Sequence, residues 1–90
     1  MTDIYEALAA PARRAILDAL VARDGQSLFG LCANLTMNQG LELTRQAVSQ
    51  HLAVLEEVGL ITSERDGRSK FHYLNTRPLK EIARRWPQPR

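Results

Sequence analysis

The sequence of 90 residues has a single cysteine, Cys32, which excludes an internal disulfide bond. Its longest apolar run is far shorter than the roughly 20 residues that a membrane-spanning helix requires. Nothing near the N-terminus combines a basic flank with a long apolar segment, as a secretory signal peptide does. These absences predict a cytoplasmic protein that does not insert into a membrane.

The residue patterns of an enzyme site are also missing. The sequence has no glycine-rich phosphate loop and no paired-carboxylate signature. Cys32, His51 and His72 fall on three different predicted elements, so their spacing brings no nucleophile, base and orienting group together. The same three residues lack the local pairing of a zinc site, although a ligand set shared between subunits stays open. We therefore predict no enzymatic activity, no cofactor and no metal site.

Length and charge limit the remaining classes. The chain is long enough for one domain, residues 1–90, with one modest core that a partner subunit would help to stabilise. The formal net charge is only +2, although the sequence pI is about 9.1. Binding to nucleic acid would therefore depend on where the basic residues cluster.

Apolar residues at helical spacing predict a short first helix and a longer second one. The first helix has an apolar side formed by Ile4, Tyr5 and Leu8. The second covers residues 11–23, because Pro11 suits a first helical turn and Asp24-Gly25 is a stop signal. Its apolar stripe is formed by Ile16, Leu17, Leu20 and Val21.

A third helix is predicted after Ser27, whose hydroxyl can cap its first turn. Its inward stripe is formed by Leu28, Leu31, Cys32 and Leu35, which places Cys32 in the buried interior. The period breaks over residues 36–40, so an irregular connector is predicted over residues 36–43.

The most informative segment is a fourth helix, predicted over residues 44–58 with Thr44 as its cap. One side of this helix is suited to a core and consists of Val48, Leu52, Leu55 and Val58, with His51 at its border. The opposite side is formed by Gln46, Ser49, Gln50 and Ala53. An amphipathic helix with short polar side chains near its N-terminus is typical of one that presents that end to DNA bases.

The last third of the chain predicts a hairpin followed by a helix. Residues 60–65 and 70–74 have strand character and flank Asp66-Gly67, a strong two-residue turn signal. Pro78 begins a final amphipathic segment that Pro87 ends. The chain is thus predicted to be mainly α-helical with a small β-hairpin.

This order of elements resembles a winged helix-turn-helix, in which helices flank a two-stranded wing. Four strings carry a closer resemblance to the ArsR/SmtB family of bacterial transcriptional repressors: LAAPARRAIL at 8–17, QAVSQHL at 46–52, LEEVGLI at 55–61 and RDGR at 65–68. The resemblance covers nearly the whole chain and implies a homodimer that binds an operator near its target promoter and usually represses it.

Two features differ from the family pattern. Members that sense metal through the third helix carry a pair of cysteines there, whereas this chain has Cys32 alone, so that sensor site is absent. The predicted connector over residues 36–43 is also longer than the short turn that the family generally uses.

Candidate DNA-binding residues come from the fourth helix and the hairpin. Arg45, Gln46, Ser49 and Gln50 can read base edges, because glutamine pairs with adenine, arginine with guanine and serine with either. Around the hairpin turn, basic side chains can contact phosphates. The full predicted set is Thr44, Arg45, Gln46, Ser49, Gln50, His51, Arg65, Arg68 and Lys70.

Each of these assignments has a plainer alternative. The polar side of the fourth helix can be a solvated face, and charges on a short hairpin can protect its edges from strand addition. His51 fits a packed histidine that bonds a backbone or phosphate oxygen better than a base contact. Arg13 and Arg14 can contact phosphate or remain in solvent at the start of the second helix.

The terminal segments provide more apolar surface than a small core can cover. We expect a dimer interface formed by Ile4, Tyr5, Leu8, Leu79, Ile82 and Trp86. Two-fold symmetry would then separate the two fourth helices by roughly 34 Å, one turn of DNA, and match an inverted-repeat operator.

Two other functions stay open at this point. The same exposed face could bind another protein without any specific DNA binding. Alternatively, a metal-responsive or redox-responsive repressor could use Cys32 as its sensor. The sequence identifies no effector, no regulated gene and no operator sequence.

Overall fold

A computed structural model describes residues 2–90. Within them the chain forms five helices and three strands: α1 Ile4–Ala9, α2 Pro11–Ala22, β1 Gln26–Ser27, α3 Leu28–Gln39, α4 Arg45–Glu57, β2 Ile61–Asp66, β3 Ser69–Leu74 and α5 Arg77–Arg85. None of the helices in this part of the chain has the length and apolarity needed to cross a membrane.

The core lies where α2, α3 and α4 meet, and the start of β2 closes one end. Its largest fully buried side chains are Ile16, Leu20, Leu31, Leu35, Val48, Leu55, Leu60 and Ile61. Ile16 and Leu20 are four residues apart, as are Leu31 and Leu35, and the buried Leu52 divides the interval from Val48 to Leu55 into four and three. The apolar stripes predicted for the three helices therefore do form the core. Val21 is the exception: it was predicted on the α2 stripe, but 71% of its surface is exposed. One residue after Leu20, the helix has turned by about 100°, which directs Val21 towards solvent.

Short polar side chains fix where the helices begin. The Ser27 hydroxyl accepts a hydrogen bond from the Gly30 N–H at 3.1 Å, and the Thr44 hydroxyl accepts one from the Ala47 N–H at 3.0 Å. Both caps were predicted from the sequence, and both satisfy N–H groups that a first helical turn leaves unpaired.

The prediction that helical structure breaks over residues 36–40 was wrong. α3 continues to Gln39 and ends at Gly40, whose φ of 62° lies in the left-handed region that glycine adopts without steric cost. The Leu41 N–H then donates to the Leu35 carbonyl oxygen at 2.9 Å. Residues 36–39 are exposed, so the final helical turn needs no apolar residues, and the irregular connector is confined to residues 40–44.

The predicted hairpin forms, although its turn lies one residue later than predicted and a third strand joins it. Asp66 pairs with Ser69, so the two connecting residues are Gly67 and Arg68 instead of Asp66-Gly67. Gly67 has a φ of 63°, which explains why the turn requires glycine there. β1 was not predicted: it pairs antiparallel with β3, and the sheet order is β1-β3-β2.

Gln26 explains why a two-residue strand is held firmly. Its buried side-chain amide donates to the carbonyl oxygens of Ala19 at 3.0 Å and Arg23 at 2.7 Å. The backbone carbonyl oxygen of Gln26 accepts a hydrogen bond from the Nδ1–H of His72 at 2.9 Å. This network joins the end of α2 to the middle of β3 and fixes the hairpin against the helices.

Candidate nucleic-acid interface

The polar residues predicted to read bases lie on the outside of α4. Arg45, Gln46, Ser49 and Gln50 are all exposed, whereas Val48 and Leu52 on the inner side are buried. A helix turns by about 100° per residue, so Gln46 and Gln50 share the open side of α4, while Arg45 and Ser49 lie towards β3. The structure therefore divides the predicted readers between two neighbouring sides of one helix.

A groove separates α4 from β3 on the side that carries Arg45 and Ser49. It has a volume of about 430 Å³, and its lining also includes Phe29, Glu56 and Lys70. Phe29 was not identified from the sequence, although a signal was present: it falls outside the apolar stripe of α3, and 74% of its surface is exposed.

The predicted basic residues of the hairpin are also exposed. Arg65 pairs with Lys70 across the two strands, and Arg68 occupies the turn. The Lys70 Nζ lies 3.9 Å from Glu56 Oε1. Because both side chains are largely solvated, this ion pair is weak, and Lys70 can exchange the carboxylate for a phosphate at little cost.

His51 lies on the side of α4 that faces α2, not in the groove. Its Nδ1 accepts a hydrogen bond from Arg13 Nη1 at 3.3 Å, since a guanidinium can only donate. Burial, together with the positive charge of Arg13, lowers the pKa of the His51 imidazole. His51 is therefore a neutral packed histidine near pH 7, but its partner is Arg13 and not the backbone or phosphate oxygen that the sequence alternative named. Any contact with DNA would use its Nε2–H.

Arg13 and Arg14 were expected either to contact phosphate or to remain in solvent, but both bond to the end of α1. Arg13 donates from Nε to the Ala7 carbonyl oxygen at 2.8 Å and from Nη2 to the Glu6 carbonyl oxygen at 3.0 Å. Arg14 donates to the carbonyl oxygens of Leu8 at 2.7 Å and Ala9 at 3.0 Å. These bonds satisfy the carbonyl groups at the end of α1, where a positive charge also favours the helix dipole.

The two terminal helices meet through aromatic and cationic side chains. The ring centroids of Tyr5 and Trp86 lie 6.3 Å apart, and the Arg85 guanidinium stands 4.6 Å from the centroid of the Trp86 ring. Tyr5 and Trp86 are nevertheless 43% and 62% exposed. Ile4, Leu8 and Leu79, by contrast, pack partly against the core of their own chain.

The single cysteine is only half-buried, so the prediction that Cys32 is buried was correct in direction but too strong. Its side chain points inward and packs against the core beside the buried leucines of α3. Among residues 2–90, no group of three or more His, Cys, Asp or Glu side chains is placed to hold a metal ion.

A basic hairpin beside an exposed, amide-rich helix, on a three-helix core, defines a winged helix-turn-helix DNA-binding protein. Comparisons with known proteins agree. A family model described as a helix-turn-helix domain matches residues 8–64. The chain is 41% identical over 83 residues to YuzN of Bacillus subtilis (strain 168), an uncharacterised HTH-type transcriptional regulator, covering 92% of this chain and 90% of that protein.

Other relatives include proteins named as repressors. The transcriptional repressor SdpR of Bacillus subtilis (strain 168) is 28% identical, with 90% of this chain and 82% of that protein covered. The repressor SmtB of Mycobacterium tuberculosis (strain ATCC 25618 / H37Rv) is 35% identical, and the match covers 90% of this chain and 55% of SmtB.

Solved structures of the same kind superpose well. A possible transcriptional regulator for arsenical resistance has a TM-score of 0.75 at 30% identity, over 98% of this chain and 88% of that one. An ArsR-like regulator from Rhodococcus sp. RHA1 gives the same TM-score of 0.75 and 30% identity, over 91% and 69% of the two chains. The protein belongs to the ArsR/SmtB family of DNA-binding helix-turn-helix transcriptional regulators and lacks the paired cysteines of its metal-sensing members.

Proposed function

We propose that the protein is a cytoplasmic homodimeric repressor that binds an inverted-repeat operator and blocks access of RNA polymerase to an overlapping promoter. The observation that carries this proposal is the exposure of Gln46, Ser49 and Gln50 on α4, next to a hairpin with basic side chains at its turn. Two of its relatives are named repressors, which supports repression over activation.

The division of labour follows from the chemistry of the two surfaces. Amide side chains on α4 supply hydrogen bonds to base edges, which distinguish one base pair from another. Arg65, Arg68 and Lys70 supply charge, which holds any duplex and is weakened by salt. The protein in this proposal needs no catalytic group, cofactor or metal.

Dimerisation is supported by the exposed aromatic surface where the chain ends meet. Tyr5 and Trp86 lie side by side and partly exposed, next to a shallow hollow lined by Val58 and Ile82. Aromatic side chains in this setting are the ones that most often anchor protein interfaces. We assign the dimer interface to Ile4, Tyr5, Leu8, Leu79, Ile82 and Trp86.

Selection of bound duplexes from a random pool tests the proposal directly. We expect enrichment of an inverted repeat whose half-sites are centred about one helical turn apart, because each subunit of a symmetric dimer reads the same bases. Failure to enrich any sequence, together with weak binding of duplex DNA in low salt, would contradict DNA reading. It would favour a helix-turn-helix domain that binds another protein.

A further inference from the structure

We propose that the groove between α4 and β3 holds the sugar–phosphate backbone of one DNA strand, and that Phe29 packs against a deoxyribose of that strand. This inference rests on the proposed DNA-binding function and adds an apolar contact that charge and base-pairing patterns do not indicate.

Phe29 differs from the leucines of α3 that pack in or against the core. It is the second residue of the helix, it is 74% exposed, and it plays no part in the core. Isolated apolar side chains at a surface are common and need no explanation by themselves. The position of Phe29 is what distinguishes it, because it lines the same groove as Arg45, Ser49 and Lys70. The similarly exposed Val21 and Met37 do not line that groove.

The groove lies where a DNA strand must pass if α4 enters the major groove. The major groove is about 12 Å wide and is bordered on each side by a sugar–phosphate backbone, so a helix inside it has one strand along each flank. Ser49 belongs to both surfaces, since it lies next to the open side with Gln46 and Gln50 and also lines the groove. Base reading by α4 therefore brings one backbone towards the groove.

The charges in the groove differ between its two ends and indicate which end binds a phosphate. Arg45 stands at the first turn of α4, whereas Glu56 stands about 16 Å further along the helix axis. Glu56 also accepts a hydrogen bond from the Ser63 hydroxyl at 3.0 Å and pairs with Lys70, so its carboxylate stays at that end. At the Arg45 end no carboxylate of the described lining offsets the positive charge, whereas at the other end Glu56 partly offsets Lys70, so a phosphate is attracted more strongly to the Arg45 end.

The remaining lining of the groove suits the sugar between phosphates. A deoxyribose presents C–H groups, and an aromatic ring is well suited to cover them because it loses little conformational entropy on ordering. Phe29 provides that apolar surface, together with Leu28 and Ala53 of the same lining. The groove thus offers positive charge for a phosphate and apolar surface for a deoxyribose.

Replacing Phe29 with alanine gives a distinctive expected result. We expect Phe29→Ala to bind both the selected operator and a random duplex of equal length about tenfold more weakly, because a deoxyribose contact carries no sequence information. The slope of log affinity against log salt should stay unchanged, since phenylalanine displaces no counterion. The fold should be unaffected, because the side chain is largely exposed.

Val21→Ala is the matched control. Val21 is 71% exposed, is apolar and lies on α2 outside the groove, so its loss should leave both affinities as in the wild type. Hydroxyl-radical footprinting, which reports on deoxyribose accessibility, supplies an independent measurement. The wild-type protein should protect a sugar in each half-site, and Phe29→Ala should lose that protection while other protected positions remain.

The outcomes separate this inference from the proposed function. If Phe29→Ala binds both duplexes like the wild type and keeps the full footprint, the groove does not hold the strand, although DNA reading by α4 stands. If Phe29→Ala loses affinity only for the operator, the residue contacts a base and the deoxyribose contact is wrong. If the wild-type protein binds no duplex in low salt, the DNA-binding function and the groove inference both fail.

Discussion

At the scale of single residues, Arg13 shows how one side chain can serve two elements. Its guanidinium donates to two carbonyl groups of α1 and to the imidazole of His51 on α4. A positive charge at the start of α2 is unfavourable for the dipole of that helix, but the end of α1 compensates because its carbonyl groups carry partial negative charge. Arg13 therefore links the N-terminal helix to α4, the helix proposed to read DNA.

The two kinds of DNA contact should respond differently to mutation. We expect Gln50→Ala to bind the operator about tenfold to a hundredfold more weakly while its affinity for random DNA stays unchanged, because one base pair loses its hydrogen bonds.

We expect Arg68→Ala to weaken binding to every duplex and to reduce the slope of log affinity against log salt by about one, because one phosphate contact is lost. Fluorescence anisotropy across a salt series measures both; equal losses on operator and random DNA for both variants would contradict these roles.

The pKa of His51 predicts how stability depends on pH. Folding keeps this imidazole neutral, since burial and Arg13 both lower its pKa from 6.5. The unfolded chain takes up a proton more readily, so the contribution of His51 is complete above about pH 6.5 and is lost as the pH falls below that value. Urea unfolding of the wild type should show a lower midpoint at pH 5 than at pH 7.5.

The variant His51→Asn provides the comparison for that prediction. Asparagine cannot titrate, and its side-chain oxygen can still accept the hydrogen bond from Arg13. We expect the fall in stability between pH 7.5 and pH 5 to be smaller in His51→Asn than in the wild type. An identical fall in both proteins would show that other groups cause the pH dependence.

Among the elements, α4 carries most of the proposed DNA interface. Its inner side holds the core through Val48, Leu52 and Leu55, and its other sides meet α2, the groove and open solvent. One rigid helix can therefore carry base reading, backbone contact and the packed His51 without a flexible loop between them. This arrangement predicts that changes at the far end of α4 also affect DNA binding.

Glu56 tests that expectation, because it opposes phosphate at one end of the groove. We expect Glu56→Gln to raise the affinity for all duplexes by about threefold and to steepen the salt slope, since Lys70 loses its partner and becomes available to DNA. The amide oxygen can still accept from Ser63. Glu57→Gln removes the same charge outside the groove lining and should have a smaller effect; equal effects would point to net charge alone.

The terminal helices α1 and α5 provide the test of dimerisation. We expect Trp86→Ala to raise the dissociation constant of the dimer about tenfold or more, because an exposed aromatic anchor is removed from the assigned interface. Sedimentation measurements over a range of protein concentrations follow the change. Met37→Ala, at a residue with 81% of its surface exposed on α3, should leave association as in the wild type. A dimer unaffected by Trp86→Ala would place the interface elsewhere.

At the scale of the whole molecule, the proposed dimer would compensate for a small core. A domain of 90 residues buries a limited apolar surface, and a second copy would cover the aromatic residues that the fold leaves exposed at its ends. The same pairing would place two copies of α4 on one side of a duplex. Stability and operator recognition would then depend on one interface.

Operator geometry should reflect that pairing. Inserting five base pairs between the two half-sites rotates one of them by about half a turn, so both copies of α4 cannot reach their sites together. We expect the affinity to fall to that of a single half-site, whereas insertion of a full turn should cost less although it adds about ten base pairs, because it restores the rotational alignment of the half-sites. Affinity that is independent of spacing would indicate that each subunit binds alone.

Sequence reasoning succeeded where structure depends on near neighbours along the chain. The inner stripes of α3 and α4, the caps Ser27 and Thr44 and the glycine in the hairpin turn were predicted correctly. Each of these features follows from helical periodicity or from a side chain that bonds a backbone group three residues away. The end of α3 was missed because an exposed final turn carries no apolar signal.

The helices, the hairpin and the polar side of α4 follow from the amino-acid pattern alone, since burial periodicity and local hydrogen bonding are set within a few residues. The pairing of β1 with β3, the bond from Arg13 to His51 and the shared groove of Phe29 and Arg45 follow instead from how distant segments pack. Gln26 and His72 are 46 positions apart along the chain. Contacts over such separations depend on how the packed elements meet, so they cannot be predicted from the pattern of neighbouring residues.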